Sequence, residues 1–154
     1  MSHKSNKRFL GIAAALLLLP AGCTSEVTSV VAEVNPSGWS SGEAAQAIFP
    51  NSDTLALREI DIFMLCNERL GRDSLELFLT TTTPDSLTVT EMIVLFPSGA
   101  AGNTRYRQVT RPYRSNVLLA KTGEYRFEFR HEYISPLEGI KAVGVNIKYI
   151  EEPF

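Results

Sequence analysis

The sequence predicts an all-β protein, an antiparallel β-sandwich of seven or eight strands behind an N-terminal signal peptide. Apolar and polar residues alternate with a period of two through most of the chain from residue 57 onward. Turn-forming segments separate these runs about every ten residues, which is the spacing typical of sandwiches and barrels. No segment beyond the first 22 residues has the period of an amphipathic helix. An immunoglobulin-like and a jelly-roll-like sandwich both fit this pattern.

The strands are assigned in order from the alternation. They are expected in the second half of 24–38 and at 44–49, 57–66, 74–82, 87–96, 104–111, 117–133 and 141–150. Pro50 and Pro112 are expected to end two of them, because proline cannot donate a backbone hydrogen bond. The segment 87–96 becomes apolar throughout, which predicts a central strand.

The inward faces of these strands follow from the same alternation. In 57–66 the inward residues are Ile60, Ile62, Met64 and Cys66. In 117–133 they are Tyr125, Phe127, Phe129, His131 and Tyr133, while Arg126, Glu128, Arg130 and Glu132 face solvent. In the last strand they are Val143, Val145, Ile147 and Tyr149.

The first 22 residues have the order of a secretory signal peptide, with a basic start followed by an apolar block at 9–19. As a helix this block would span about 16 Å, well short of a bilayer core of about 30 Å. The segment "LLLLPAGC" (16–23) then resembles a bacterial lipoprotein signal, which implies cleavage between Gly22 and Cys23 and a diacylglycerol on the Cys23 sulfur. An ordinary secretory signal with a chance cysteine is the alternative.

Lipidation divides the chain into three parts. We predict a signal peptide at 1–22, a lipidated tether at 23–38 and a β-sandwich domain at 39–154. Membrane lipid would then be a partner through Cys23, because each buried methylene of an acyl chain contributes about 0.8 kcal/mol to membrane binding. Cys66 would have no disulfide partner, and its place at the end of an apolar strand predicts a buried residue rather than a reactive thiol.

Charge and motifs exclude several functions. The chain has a formal net charge of -2, and the predicted signal removes three cations, so the mature part is more acidic and unsuited to nucleic acid. His131 is the one histidine of the mature chain, and it is expected in the core rather than as a general base. No metal-ligand spacing, nucleophile elbow or phosphate-binding loop is present, so we predict no enzyme, no metal and no cofactor.

Two sets of residues are candidates for binding. The aromatic residues Trp39, Tyr106, Tyr113 and Tyr125 could form a sugar-stacking platform, although packing is the favoured interpretation of Trp39. The arginines Arg105, Arg107, Arg111 and Arg114 could form an anion-binding stripe, although a solvated strand face is favoured.

A repeated tripeptide is the most unusual local pattern. Three of the four aspartates begin "DTL" (53–55), "DSL" (73–75) and "DSL" (85–87). The pattern resembles the O-glycosylation acceptor of exported Bacteroidota proteins, which implies candidate sites at Thr54, Ser74 and Ser86. Turn chemistry explains it equally well, because Asp and Ser cap turns that precede strands.

Several stretches together resemble the gliding-motility lipoproteins of Bacteroidota, the GldH type. They are the lipoprotein cysteine, a tryptophan soon after it, "FPNSDT", "IDIFMLCNE" followed by "LELFLTTTTPD", "FPSG" and, as the strongest match, "TGEYRFEFRHEYISPLEGIKAVGVNI" (122–147). The resemblance implies structural motifs rather than a reaction, with Gly123, Gly139 and Gly144 as turn or close-packing glycines. An acidic run after the cysteine marks surface export in this phylum, and since only Glu26 is present here, the outer membrane facing the periplasm is the expected location.

The favoured hypothesis is a non-enzymatic, membrane-anchored accessory component of the gliding-motility or associated secretion machinery. Its partners would be other envelope or motility proteins. The alternative is a carbohydrate-binding lipoprotein of a nutrient-uptake system. A fimbrial subunit fits less well, because the proteolytic maturation of such subunits usually follows an arginine, and none lies between Cys23 and Arg58.

Overall fold

A computed structural model describes residues 26–97 and 105–150 of the chain. These residues form eight strands and one turn of 3-10 helix, Glu68–Leu70. In chain order the strands are β1 (Val27–Glu33), β2 (Ala45–Asn51), β3 (Leu57–Cys66), β4 (Leu75–Thr82), β5 (Thr88–Leu95), β6 (Arg107–Leu118), β7 (Gly123–Arg130) and β8 (Ile140–Tyr149). The expected all-β class is confirmed.

The strands form two four-stranded antiparallel sheets that pack face to face. Their orders are β1-β8-β3-β6 and β2-β7-β4-β5. The first strand thus pairs with the last, β2 with β7, β3 with β6, and β4 with β5, as in one long hairpin rolled into a double sheet. This order is that of a jelly roll and not that of an immunoglobulin sandwich.

The core lies between the sheets and uses the inward faces that the alternation predicts. The predicted inward residues of β3 and β7 are buried, and so are Val143, Val145 and Ile147 of β8. Tyr133 and Tyr149 are half-buried at the margins of the core. Cys66 is buried as predicted, and burial raises the pKa of its thiol, which lowers its reactivity.

Both prolines that were expected to end strands lie inside them. Pro50 is within β2, opposite Glu124, and Pro112 is within β6, opposite Asp61. The expectation was wrong because β2 and β6 are edge strands, where one side of the backbone needs no ladder hydrogen bond. The register of β6 also shifts opposite Ile60 and Asp61, next to Pro112.

The segment 87–96 does not form a central strand. It contributes β5, which lies at the edge of its sheet. Met92 is exposed and opposes Phe78 of β4 on the outer face of the sheet. The strand is therefore apolar on both faces for two different reasons. Its inward residues belong to the core, whereas Met92 forms a cross-strand pair with Phe78 on the solvent side.

The domain begins earlier than the expected boundary at residue 39. Residues 27–33 form β1, which pairs with β8 along its whole length. The expected tether is therefore shortened to the few residues between Cys23 and Val27, the first two of which lie outside the described residues together with Cys23 itself. No helix among the residues that the structure describes is long and apolar enough to cross a membrane.

The antiparallel arrangement gives the sandwich two distinct ends. All odd-numbered strands begin, and all even-numbered strands end, at the end where β1 starts, which we call the Val27 end. The loops 52–56, 83–87 and 119–122 lie there. The opposite end, which we call the Trp39 end, holds the segments 34–44, 67–74 and 131–139.

Gly144 allows three strands to approach one another closely. It lies in the middle of β8, opposite Val31 of β1 and Phe63 of β3. A Cβ atom at this position would lie 2.2 Å from the Val30 carbonyl oxygen and 2.8 Å from the Phe63 ring. The Phe63 ring is buried on the outer side of the sheet, where it covers this glycine.

We therefore expect Gly144→Ala to lower the free energy of unfolding by about 1–3 kcal/mol, as overpacking does elsewhere. Urea denaturation followed by circular dichroism measures the change. Gly42→Ala is the matched control, since no atom lies within 4 Å of its Cβ position. Equal stabilities of the two variants would contradict the close approach of β1, β8 and β3.

Candidate binding cleft

The two sheets are joined by side chains, not by backbone pairing, where β5 faces β6. Each of these strands is the last in its sheet, so a cleft opens between them. Its volume is about 440 Å³, within the usual range for small-molecule pockets. The apolar lining consists mainly of Ile60, Leu87, Val89, Val117, Leu118, Leu119, Tyr125 and Phe127.

A polar cluster forms part of the lining of this cleft. The Tyr113 hydroxyl and the Arg114 guanidinium both donate hydrogen bonds to one carboxylate oxygen of Glu91. The Arg114 guanidinium also stacks on the Tyr113 ring, 4.0 Å from its centroid. The cluster thus bridges β5 and β6 and ties the two sheets together.

The cluster shifts the titration of its members. Hydrogen bonds from Arg114 and Tyr113 hold the pKa of the Glu91 carboxyl below its usual range. Burial, reinforced by the bond to Glu91, raises the pKa of the Tyr113 phenol. The carboxylate also raises the pKa of Arg114. At neutral pH Glu91 is therefore a carboxylate that accepts hydrogen bonds, while Tyr113 and Arg114 keep the protons that they donate.

Two further polar contacts join the two sheets, one on each side of this cluster. Toward the Trp39 end, Arg111 Nη1 donates to the Val94 carbonyl oxygen at 2.7 Å. Toward the Val27 end, Lys121 Nζ lies 3.6 Å from a carboxylate oxygen of Asp85. The cleft combines an apolar lining with the polar groups of Glu91, Arg114 and Lys121, an arrangement suited to an apolar ligand or side chain with one polar group.

The Trp39 end contains a second cluster, around His131. Its Nδ1 accepts from the Tyr133 N–H at 3.2 Å, so its Nε2 carries the proton and donates to the Trp39 carbonyl oxygen at 2.9 Å. The Trp39 indole packs edge-on against the imidazole and donates to the Glu43 carbonyl oxygen. Trp39 and His131 are both buried, as predicted, and the cluster holds the segment after β1 against the segment after β7.

Arg58 is a fully buried cation inside the Val27 end. Its Nη2 donates to the Asp53 carbonyl oxygen at 3.0 Å, and its guanidinium lies 4.9 Å from the centroid of the Tyr149 ring. Its Nε and Nη1 have no hydrogen-bond partner among the described residues. Hydrogen bonds from the backbone N–H groups of Leu55 and Ala56, with a smaller contribution from the charge of Arg58, lower the pKa of the nearby Asp53 carboxyl.

The predicted modification sites lie in different places. Gly22 and Cys23 are outside the described residues. Thr54 and Ser86 belong to loops at the Val27 end, whereas Ser74 precedes β4 at the Trp39 end. Ser74 and Ser86 are exposed and Thr54 is half-buried.

The aspartates of these tripeptides differ in their contacts. Asp53 accepts hydrogen bonds from the backbone N–H groups of Leu55 and Ala56, which closes an Asx-type turn. Asp85 accepts from the Thr83 hydroxyl at 2.5 Å in the 83–87 loop, where the Thr83 N–H donates to the Leu87 carbonyl oxygen and leaves a three-residue hairpin loop between them. Ser86 adopts a left-handed conformation there, with φ of 67°, as the last residue of such a loop requires. Turn chemistry thus accounts for two of the three tripeptides.

The four aromatic residues considered as a sugar platform do not all share one surface, although Tyr113 and Tyr125 both line the cleft. Trp39 is fully buried at the Trp39 end, and Tyr125 is buried in the wall of the cleft. Tyr113 is half-buried against Glu91, and Tyr106 is exposed near the start of β6.

The arginines considered as an anion stripe are likewise engaged in different ways. Arg111 and Arg114 bridge to β5 in the contacts described above. Arg107 is half-buried opposite Cys66. The stretch therefore does not present one continuous cationic row.

Sequence reasoning did not single out Glu91 or Arg58, although each carries a signal. Glu91 is the one charged residue inside the apolar run 87–96. Arg58 shares the inward parity of Ile60 and Ile62 in β3. A charge at an inward or apolar position indicates a buried polar contact.

No group of three or more histidine, cysteine or acidic side chains is arranged for metal binding within the described ranges. Comparison of the chain with protein-family models found no match, and neither did comparison with curated proteins.

The bridge across the cleft predicts a pH dependence of stability. The folded state lowers the pKa of Glu91, so the Glu91 hydrogen bonds contribute fully to the free energy of unfolding above the unfolded-state pKa of about 4.3. This contribution is lost as the pH falls through the pKa of Glu91 in the folded state. We expect Glu91→Gln to cost about 1 kcal/mol or less at pH 7, since about a third of the Glu91 side chain is exposed, and nothing at low pH.

Urea denaturation of the wild type and the variant at neutral pH and below the folded pKa measures this difference. The matched control is Glu138→Gln, which removes the exposed ion pair with Arg69. The same difference in the free energy of unfolding between wild type and Glu91→Gln at both pH values would contradict a stabilising role of the Glu91 cluster.

Proposed function

We propose that this protein is a lipid-anchored, non-enzymatic binding module of the bacterial cell envelope. Its role would be that of an accessory component of the gliding-motility or associated secretion machinery, at the outer membrane and facing the periplasm. The observation that carries the proposal is the lipoprotein-type segment "LLLLPAGC", whose cysteine lies only four residues before the first strand of the sandwich.

The anchor would define how the protein acts. Acyl chains on Cys23 would fix the sandwich at a membrane almost permanently, because two or three chains bind far more strongly than one. A rigid body held there favours a placement role, in which the sandwich presents a fixed surface to other envelope proteins. The chemistry of the described residues is compatible with this role, since the one described histidine is buried with both ring nitrogens engaged.

The cleft between β5 and β6 is the surface best suited to a partner. It combines an apolar lining with the exposed side chain of Val89 at its margin. Apolar residues around a concave site with a few polar groups are typical of binding sites. The carbohydrate-binding alternative has less support, because the aromatic residues on which it depends do not form a common platform.

Photo-crosslinking in cells tests the partner class. p-Benzoylphenylalanine would be placed at Val89, which is exposed at the cleft, and in a control variant at Gln46, which is exposed on the outer face of β2. We expect the Val89 position to give adducts with motility or secretion components, identified by mass spectrometry, and the Gln46 position to give few.

Adducts of the Val89 position with glycan importers would instead favour the nutrient-uptake alternative. Equal adducts from both positions would show that the cleft has no special role. The absence of envelope proteins from both would contradict the accessory function.

A further inference from the structure

Three exposed leucines lie at the Val27 end of the sandwich, and two of them, Leu87 and Leu118, line the same cleft. Leu55 is 86% exposed in the loop after β2, Leu87 is 66% exposed before β5, and Leu118 is 49% exposed at the end of β6. All three lie at or beside the loops that join strands at this end. Large apolar side chains exposed at one end of a domain are candidates for an interaction surface.

The local turn chemistry explains why two of these leucines project. In the loop of Leu55, the Asp53 carboxylate accepts hydrogen bonds from the backbone N–H groups of Leu55 and Ala56 and therefore points toward its own loop. In the loop of Leu87, Asp85 is held by the Thr83 hydroxyl and by Lys121. In both loops the aspartate carboxylate is held by contacts with nearby residues, and the leucine side chain is exposed.

The third copy of the tripeptide behaves differently. Asp73, Ser74 and Leu75 lie at the Trp39 end, and there Leu75 is fully buried in the core. The tripeptide as such therefore does not force its leucine outward. Exposure of the leucine is confined to the two copies at the Val27 end.

Chain geometry places that same end closest to Cys23. Four residue steps separate Cys23 from Val27, and a fully extended chain covers at most about 14 Å over that length. The sandwich is longer, since the ten residues of β3 span about 33 Å. Cys23 can therefore reach the Val27 end but cannot reach around the body to the Trp39 end.

We infer that the Val27 end docks on the surface of a phospholipid bilayer, with Leu55, Leu87 and Leu118 inserted among the lipids. This inference rests on the proposed lipid anchor and adds a fixed orientation to it. The cleft between β5 and β6, whose margin includes Leu87 and Leu118, then opens close to the membrane.

The alternative orientations are less suitable for contact with lipid. The outer face of the sheet β2-β7-β4-β5 carries the ion pairs Arg126–Glu124 and Arg130–Glu128. The outer face of the other sheet carries the Lys148–Asp61 pair. Burial of either face in the interface would remove these charges from water. At the Val27 end the leucines can insert while the exposed Asp85–Lys121 pair of the adjoining loops stays at the level of the hydrated headgroups.

Site-specific fluorescence on the full-length acylated protein tests this orientation. Leu87→Cys and Ile134→Cys would each be labelled with an environment-sensitive nitrobenzoxadiazole dye and reconstituted in phosphatidylcholine vesicles. Ile134 is fully exposed at the Trp39 end and is the matched control. Cys66 is buried and does not compete for the label.

We expect the emission of the dye at position 87 to shift to shorter wavelength when the vesicles are added. Most of its fluorescence intensity should be quenched when brominated phosphatidylcholine replaces the unbrominated lipid. The dye at position 134 should respond to neither change. Protein that floats with the vesicles but shows equal quenching at both positions, or none, would overturn the docking while leaving the anchor intact.

Protein that fails to float with the vesicles would instead overturn the lipid anchor, and the docking with it. Glycopeptide mapping gives an independent check. A glycan on Thr54 or Ser86 would keep the neighbouring leucines in solvent and would contradict docking, whereas both hydroxyls bare is the expected result.

Discussion

The packing of one apolar sheet face on another is the constraint on which the rest of the structure depends. Each sheet of this jelly roll has an inward face that only the other sheet can cover, and burial of those faces is the main stabilising term. Polar groups caught between the sheets must then be satisfied internally. His131, Asn51 and Arg58 all donate to backbone carbonyl oxygens, but the Asn51 Oδ1 and the Nε and Nη1 of Arg58 have no hydrogen-bond partner among the described residues.

The same packing determines where a binding site can arise. Strands β1 and β2 lie beside each other on one side of the sandwich, and β5 and β6 face each other on the other. There the Glu91 cluster and the Asp85–Lys121 pair link the sheets, and apolar surface stays accessible between them. The cleft therefore arises because the jelly-roll topology leaves the edge strands β5 and β6 facing each other without backbone pairing.

Local alternation explains which parts of this structure could be predicted. The inward faces of β3, β7 and β8 follow from residues two apart, so the sequence pattern was sufficient for them. The positions of Pro50, Pro112 and β5 depend on which strands are edges, and that is decided by pairing between distant segments. The contact of Glu91 with Arg114 across two sheets has the same non-local origin, so no local pattern could reveal the cleft.

A short link between a lipid and a rigid sandwich is the central claim about function. Mass spectrometry of the N-terminal peptide of the mature protein tests it most directly. The account predicts a chain that begins at Cys23 with a diacylglycerol on its sulfur, while the peptide containing Cys66 carries no lipid. A mature chain that begins elsewhere, or a bare sulfur at Cys23, would contradict it.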